Sequence, residues 1–138
     1  MNGIIESQPA RPKRRILIVE DDNAIASIYC DKFAREGFQV SYAADGAEGL
    51  RMAQELKPQI ILLDLRLPKM DGLAVLRELK QDSSTLMIPV IVWTNLSEAE
   101  EEQKARSLGA VDYLVKINHM PSEVVQKVRE RLGDRAIP

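Results

Sequence analysis

Cysteine is almost missing from this 138-residue chain, with Cys30 as the single copy. That excludes an internal disulfide and a thiolate metal cluster, and it is compatible with a reducing compartment. Long apolar runs are missing as well. The longest aliphatic stretches, Ile16–Val19 and Ile60–Leu63, are four residues each, against roughly 20 for a membrane span. There is no basic excess either: 19 Lys and Arg face 21 Asp and Glu, for a net charge of -2. A nucleic-acid binder usually shows such an excess on one face, so direct DNA binding is not expected. The N-terminus has no secretion signal, because its basic cluster precedes a short apolar run that leads directly into acids. These absences point to a soluble cytoplasmic domain without membrane insertion. The length suits one domain, and 45% hydrophobic residues can fill a core.

Residues 1–14 read as a flexible basic tail, and residues 15–135 as the domain. Arg11, Lys13, Arg14 and Arg15 stand against Glu6 alone, and Pro9 and Pro12 discourage helix. The plain reading of these cations is a solvated approach to the first strand. From Arg15 onward, apolar runs alternate with amphipathic stretches. Ile16–Val19 precedes Ile25, Ile28, Tyr29 and Phe33, whose spacing keeps one helical face apolar. Gly37 fits the stop of that helix. Phe38–Ala43 alternates more and reads as an edge strand. Ala47, Leu50, Ala53 and Leu56 mark a second helix, and Ile60–Leu63 a strand buried on both faces. A third helix carries Leu73, Leu76 and Leu79, followed by a strand over Pro89–Trp93. Ser97 with Glu100 predicts a capping box for a fourth helix, which is unusually polar and suited to exposure or a partner. A fifth strand covers Val111–Val115, and Val124, Val125, Val128 and Leu132 stripe a fifth helix. Five strands alternating with five helices predict an α/β fold, a doubly wound parallel sheet with helices on both faces.

Sites in such sheets form outside the carboxyl ends of the strands. Strand one runs into Glu20, Asp21 and Asp22, and strand three into Asp64. Strand four runs into Thr94 and strand five into Lys116. Asp22 reads as a helix N-cap. Glu20, Asp21 and Asp64 brought together would repel and raise one another's pKa unless a cation intervenes. A hard divalent ion such as magnesium suits these oxygens. Lys116 adds a fixed positive charge and Thr94 a hydroxyl, so the set can hold an oxyanion-rich group on Asp64.

The chain resembles the two-component response regulator receiver domain over about residues 15–133. The resemblance rests on Ile16-Leu-Ile-Val-Glu-Asp-Asp22, Asp64-Leu-Arg-Leu-Pro-Lys-Met-Asp-Gly72, Pro89-Val-Ile-Val-Trp-Thr94 and Gly109-Ala-Val-Asp-Tyr-Leu-Val-Lys116. It implies a (βα)5, flavodoxin-like sheet of strand order 2-1-3-4-5. It also implies that Asp64 is the phosphoacceptor, attacking a phosphohistidine. Mg2+ would be held by Glu20, Asp21, Asp64 and the backbone carbonyl of Arg66. Thr94 and Lys116 would contact the phosphoryl group, and Tyr113 would swing into the space that Thr94 vacates, remodelling the face of the fourth helix, fifth strand and fifth helix. The expected partners are a sensor histidine kinase or histidine phosphotransfer protein upstream and a non-covalent protein downstream, with a homodimer possible on phosphorylation. No enzymatic activity is implied beyond slow self-dephosphorylation.

Three features depart from the family pattern. Ile117 follows Lys116 where the family usually has a proline in a cis peptide. A cis bond to a non-proline costs about 3 kcal/mol, so either the loop is trans and differently shaped or that cost is offset elsewhere. Asn95 follows Thr94 in place of a small residue, which narrows access to Asp64. Trp93 is uncommon before the threonine, and its plain reading is packing between strand and helix. Arg66 and Leu96 flank the site where the family tunes phosphoryl lifetime. His119 reads as a loop or cap residue, and Cys30 as buried and inert. Ile117 and Asn95 motivate the alternative of a receiver-fold interaction module that ignores phosphorylation. A flavin carrier of related fold is disfavoured, since Glu20-Asp21-Asp22 would repel its phosphate.

Overall fold

Ile16, Leu17, Ile18 and Val19 are at most 1% exposed, because β1 (Arg15–Val19) lies inside a five-stranded sheet in the computed structural model, which describes residues 12–134. The other strands are β2 (Gln39–Ala43), β3 (Ile60–Leu63), β4 (Val90–Thr94) and β5 (Asp112–Val115). All pairings are parallel and the order is β2-β1-β3-β4-β5, as the resemblance implied. β3 is buried at every position and β2 only at Ala43, which matches a continuous apolar run in the middle and an alternating one at the edge. Most of the expected basic tail, residues 1–11, lies outside the described residues.

Side chains alternate across each strand, and the core divides accordingly. Leu17, Val19, Ile61, Leu63 and Val92 face one side, with Val75, Leu76 and Leu79 of α3 (Gly72–Gln81). Helix α2 (Gly46–Leu56) covers the same side. Ile16, Ile18, Leu62, Ile91 and Trp93 face the other side. There they meet Tyr29 and Phe33 of α1 (Asn23–Arg35) and Val124, Val125 and Val128 of α5 (Pro121–Arg131). Each large apolar side chain so buried contributes about 1.5–3 kcal/mol. Gly37 ends α1 as expected, at φ +95° in open space.

Several boundaries differ from the sequence reading. The capping box at Ser97 does not form. Helix α4 (Ala99–Ser107) has Glu98 at its N-cap, without a side-chain cap bond. The preceding loop is held at Leu96 by Thr94 and Tyr113, and the chain turns into helix only after Ser97. Within α4 only Ala105 is buried, as its polarity led us to expect. Leu132 caps α5 rather than continuing it, and Cys30 is half-buried rather than buried. A single 3₁₀ turn, Lys116–Asn118, follows β5, and His119 caps it.

Candidate functional site

The ladder of the sheet continues one residue past β1 and β3, and this places the acids. The Glu20 N–H donates to the Ala43 carbonyl, and the Asp64 N–H to the Val19 carbonyl, both at 3.0 Å. Asp22 is taken by α1: its carboxylate accepts from the N–H groups of Ala24 (2.9 Å) and Ile25 (3.1 Å). Glu20 and Asp21 remain for the rim. Carboxylate oxygens of Glu20, Asp21 and Asp64 lie within 4.8 Å of one another. Glu20 is 1% exposed and Asp64 5%, while Asp21 faces solvent. They open onto a cavity of about 530 Å³ that is also lined by Arg66, Thr94, Leu96 and Lys116.

Lys116 reaches this cluster from 52 residues beyond Asp64. Its ammonium donates to Asp64 Oδ2 at 3.0 Å and to Glu20 Oε1. Burial opposes its charge, but these two carboxylates outweigh burial and hold it above the ordinary lysine value. Burial pushes the Glu20 carboxyl up, against the hydrogen bonds from Lys116 and from the Asp22 N–H (3.0 Å). The Lys116–Ile117 peptide is trans, since no peptide bond among the described residues is cis. Of the two alternatives, the trans loop is the one adopted.

The β3–α3 connection is built tightly under Asp64. The Gly72 N–H donates to the Leu65 carbonyl at 2.8 Å. A Cβ at Gly72 would stand 2.2 Å from the Asp64 carbonyl oxygen and 2.5 Å from Leu65 Cα. Asp71 caps α3 through the Ala74 N–H. The Asp64 carboxylate accepts from the Arg66 N–H at 3.3 Å, and the Arg66 side chain is exposed. On the other flank Thr94, 1% exposed, accepts the Leu96 N–H at 3.4 Å. The Tyr113 hydroxyl donates to the Leu96 carbonyl at 2.6 Å. Tyr113 is 7% exposed, and burial together with Glu101, Glu102, Glu98 and Asp64 pushes its pKa up to about 12. It is therefore a neutral hydrogen-bond donor, latched inward on the β4–α4 loop.

Glu20, Asp21, Asp64, Thr94 and Lys116 thus share one rim, with Arg66 beside Asp64 and Tyr113 one loop away. Asn95 lies exposed at the mouth. Trp93 does pack between strand and helix, meeting Tyr29 edge-on at 4.4 Å between centroids. It also lies 4.5 Å beneath the Lys116 ammonium, a contact the sequence reading missed. Its position next to Thr94 at the end of a buried strand signals its burial but not that partner.

The chain matches the family described as response regulator receiver domain over residues 16–129. It is 40% identical over 102 residues to the DNA-binding dual master transcriptional regulator RpaA of Synechocystis sp., covering 74% of this chain and 42% of that one. It is 36% identical over 120 residues to the DNA-binding response regulator MtrA of Mycobacterium tuberculosis, covering 87% and 51% respectively. The chain spans about half the length of these curated relatives. Among solved structures, the receiver domain of sensor histidine kinase PA1611 from Pseudomonas aeruginosa PAO1, with magnesium coordinated in its active site cleft, superposes with a TM-score of 0.81. It is 26% identical, over 89% of this chain and all of that one. The expectation of a function without direct DNA binding is overturned, since these relatives are DNA-binding regulators. Near-neutral charge excluded nothing, because it describes this stretch and not a whole protein of that kind. Among the described residues, no helix is long and apolar enough to cross a membrane.

Proposed function

The chain belongs to the response regulator receiver domain family, and from that premise we propose that it is a phosphorylation-controlled switch in the cytoplasm, loaded on Asp64 by a histidine kinase or phosphotransfer protein. The observation that carries this reading is the Lys116 ammonium bonded to both Asp64 and Glu20 at the mouth of an acidic cavity. An Asp64 carboxylate oxygen forms a bond to phosphorus as the phosphohistidine P–N bond breaks. The electron pair leaves with the imidazole nitrogen. Phosphoryl transfer of this kind asks for positioning and charge neutralisation more than for covalent chemistry by the protein.

The donor set fits magnesium: three neighbouring carboxylates, all hard oxygen ligands, with a single fixed cation beside them. Glu20, Asp21, Asp64 and the Arg66 carbonyl would hold it. When bound, the ion supplies positive charge that lets the acids ionise together and offsets charge on the phosphoryl oxygens. Lys116 pairs with the phosphoryl group, and the Thr94 hydroxyl donates to it. When Thr94 turns toward the phosphoryl group it gives up the Leu96 N–H, and the Tyr113 latch on Leu96 carries that change to the α4–β5–α5 face. RpaA and MtrA are DNA-binding regulators, so DNA binding is the output these relatives suggest for the switch.

Incubation with magnesium and acetyl phosphate tests the reading by mass spectrometry. One phosphoryl mass is expected on the native chain and none on Asp64→Asn. An unmodified native chain, or a modified Asp64→Asn, refutes it in favour of an interaction module that ignores phosphorylation.

A further inference from the structure

We propose that Trp93 is a positioning residue for phosphoryl transfer, its indole face forming the floor that holds the Lys116 ammonium against Asp64. This rests on the reading of Asp64 as phosphoacceptor. An ammonium has three N–H donors. One goes to Asp64 and one to Glu20. In place of a third hydrogen bond, the ammonium has the Trp93 π face, with the ring centroid 4.5 Å from Nζ. That is within cation–π range, and tryptophan offers the strongest face for it.

The surroundings leave this contact little competition. The Lys116 side chain is only 10% exposed, so water cannot replace the ring at little cost. The residue that follows, Ile117, is 82% exposed and supplies no packing from the solvent side. The indole itself is fixed. Trp93 is fully buried, held edge-on by Tyr29 of α1 and paired in register with Leu114 of β5. Among the described residues, its Nε1 is the buried side-chain polar atom left without a hydrogen-bond partner. An aliphatic side chain would fill the strand without that penalty. The face of the ring is what Lys116 meets, while the Nε1–H, without a partner at full hydrogen-bond geometry, stands near enough to the Tyr29 hydroxyl to lower its pKa against burial.

The choice of partner matters for the reaction. A carboxylate under Lys116 would compete with the incoming phosphoryl oxygens for the ammonium. A π face attracts the cation while carrying no net charge. The ammonium can therefore turn from Glu20 to a phosphoryl oxygen without leaving the ring. Tyr29, Trp93 and Lys116 form one column from α1 through β4 to the reaction centre.

The test compares Trp93→Phe and Trp93→Leu with the native chain in labelling by acetyl phosphate and magnesium, each folded by far-UV circular dichroism at the assay temperature. Trp93→Phe, which keeps a ring, is expected to label within about threefold of native, and Trp93→Leu about 10–30-fold more slowly. A merely structural role would lower the melting temperature of both without separating their rates. Labelling of Trp93→Leu at the native rate overturns the proposal, as does equal slowing of both variants. Because Trp93 is the one tryptophan of the chain, its emission provides a second measurement should Trp93→Leu fail to fold. Lys116→Met removes the cation but keeps the stem, so the emission intensity should change. Unchanged emission overturns the stacking. If the native chain itself gains no phosphoryl mass, the assignment of Asp64 fails, while the emission comparison still decides whether Trp93 holds Lys116.

Discussion

Replacing Gly72 by alanine tests how closely Asp64, the proposed phosphoacceptor, depends on the helix that follows it. The added Cβ would stand 2.2 Å from the Asp64 carbonyl oxygen, about 1.2 Å inside the 3.4 Å at which ordinary contact begins. Its other neighbours, Leu65 Cα at 2.5 Å and the Asp64 carbonyl carbon at 3.0 Å, are also backbone. No rotamer change relieves such a clash, so either α3 or the Asp64–Leu65 segment must move by about an ångström. Moving α3 unseats Val75, Leu76 and Leu79, which are at most 1% exposed. Overpacking of side chains costs about 1–3 kcal/mol, and backbone against backbone belongs at or above the upper end. Moving Asp64 instead takes the proposed nucleophile off line, where a displacement of about 1 Å can cost roughly 100-fold in rate. Urea unfolding and acetyl phosphate labelling measure the two outcomes. We expect a loss of at least about 3 kcal/mol, or labelling slowed by roughly two orders of magnitude in a folded protein. Gly37→Ala is the control: its position is open and strained only through its φ of +95°. It should cost about 1–2 kcal/mol and leave labelling unchanged. A Gly72→Ala protein within 1 kcal/mol of native that labels normally would show that the close approach of Gly72 to Asp64 does not govern the site.

Lys116→Met leaves the buried Glu20 and Asp64 without their cation, and breaking such a pair costs about 3–5 kcal/mol near neutral pH. Glu20 is held above its ordinary value mainly by burial, and losing the Lys116 hydrogen bond raises it further. A carboxyl with a raised folded pKa contributes stability that is full below 4.5 and is lost as pH rises through the folded value. The deficit of the variant should therefore be small near pH 4.5 and grow toward neutrality. Unfolding at several pH values checks this, and a deficit that does not vary with pH contradicts it. Lys57 caps α2 in the left-handed region, at φ 46° and ψ 64°, where glycine has no Cβ penalty. Lys57→Gly should raise stability by about 0.5–1 kcal/mol, and a lower urea midpoint would count against that account.

Most of the fold was legible because its elements are local and periodic. Ile60–Leu63 announces a strand buried on both faces, and Val124, Val125 and Val128 announce one apolar helical stripe. The miss at Ser97 has a tertiary cause. A capping box can be read in four residues, but the loop before it is held by a hydroxyl on β5, and Tyr113 lies 17 residues away. Trp93 shows the same limit. Its burial follows from its place in a buried strand, but nothing near it in sequence shows that Lys116 lies over its face.

The order of acids, hydroxyl and lysine after successive apolar runs, by itself, determined the fold class and the residues able to meet at one rim. A parallel sheet sends every strand end to the same edge, so chemistry placed after the strands converges whatever the loops do. Only the tertiary structure decided how those groups divide their work. Lys116 is shared between Asp64 and Glu20 over an indole floor, and Tyr113 is latched inward on Leu96. These are contacts between residues up to 96 positions apart. They depend on approaches such as the 2.6 Å from Tyr113 to Leu96 and the 4.5 Å from Lys116 to the Trp93 ring, set by packing and not by the chemistry of any one residue.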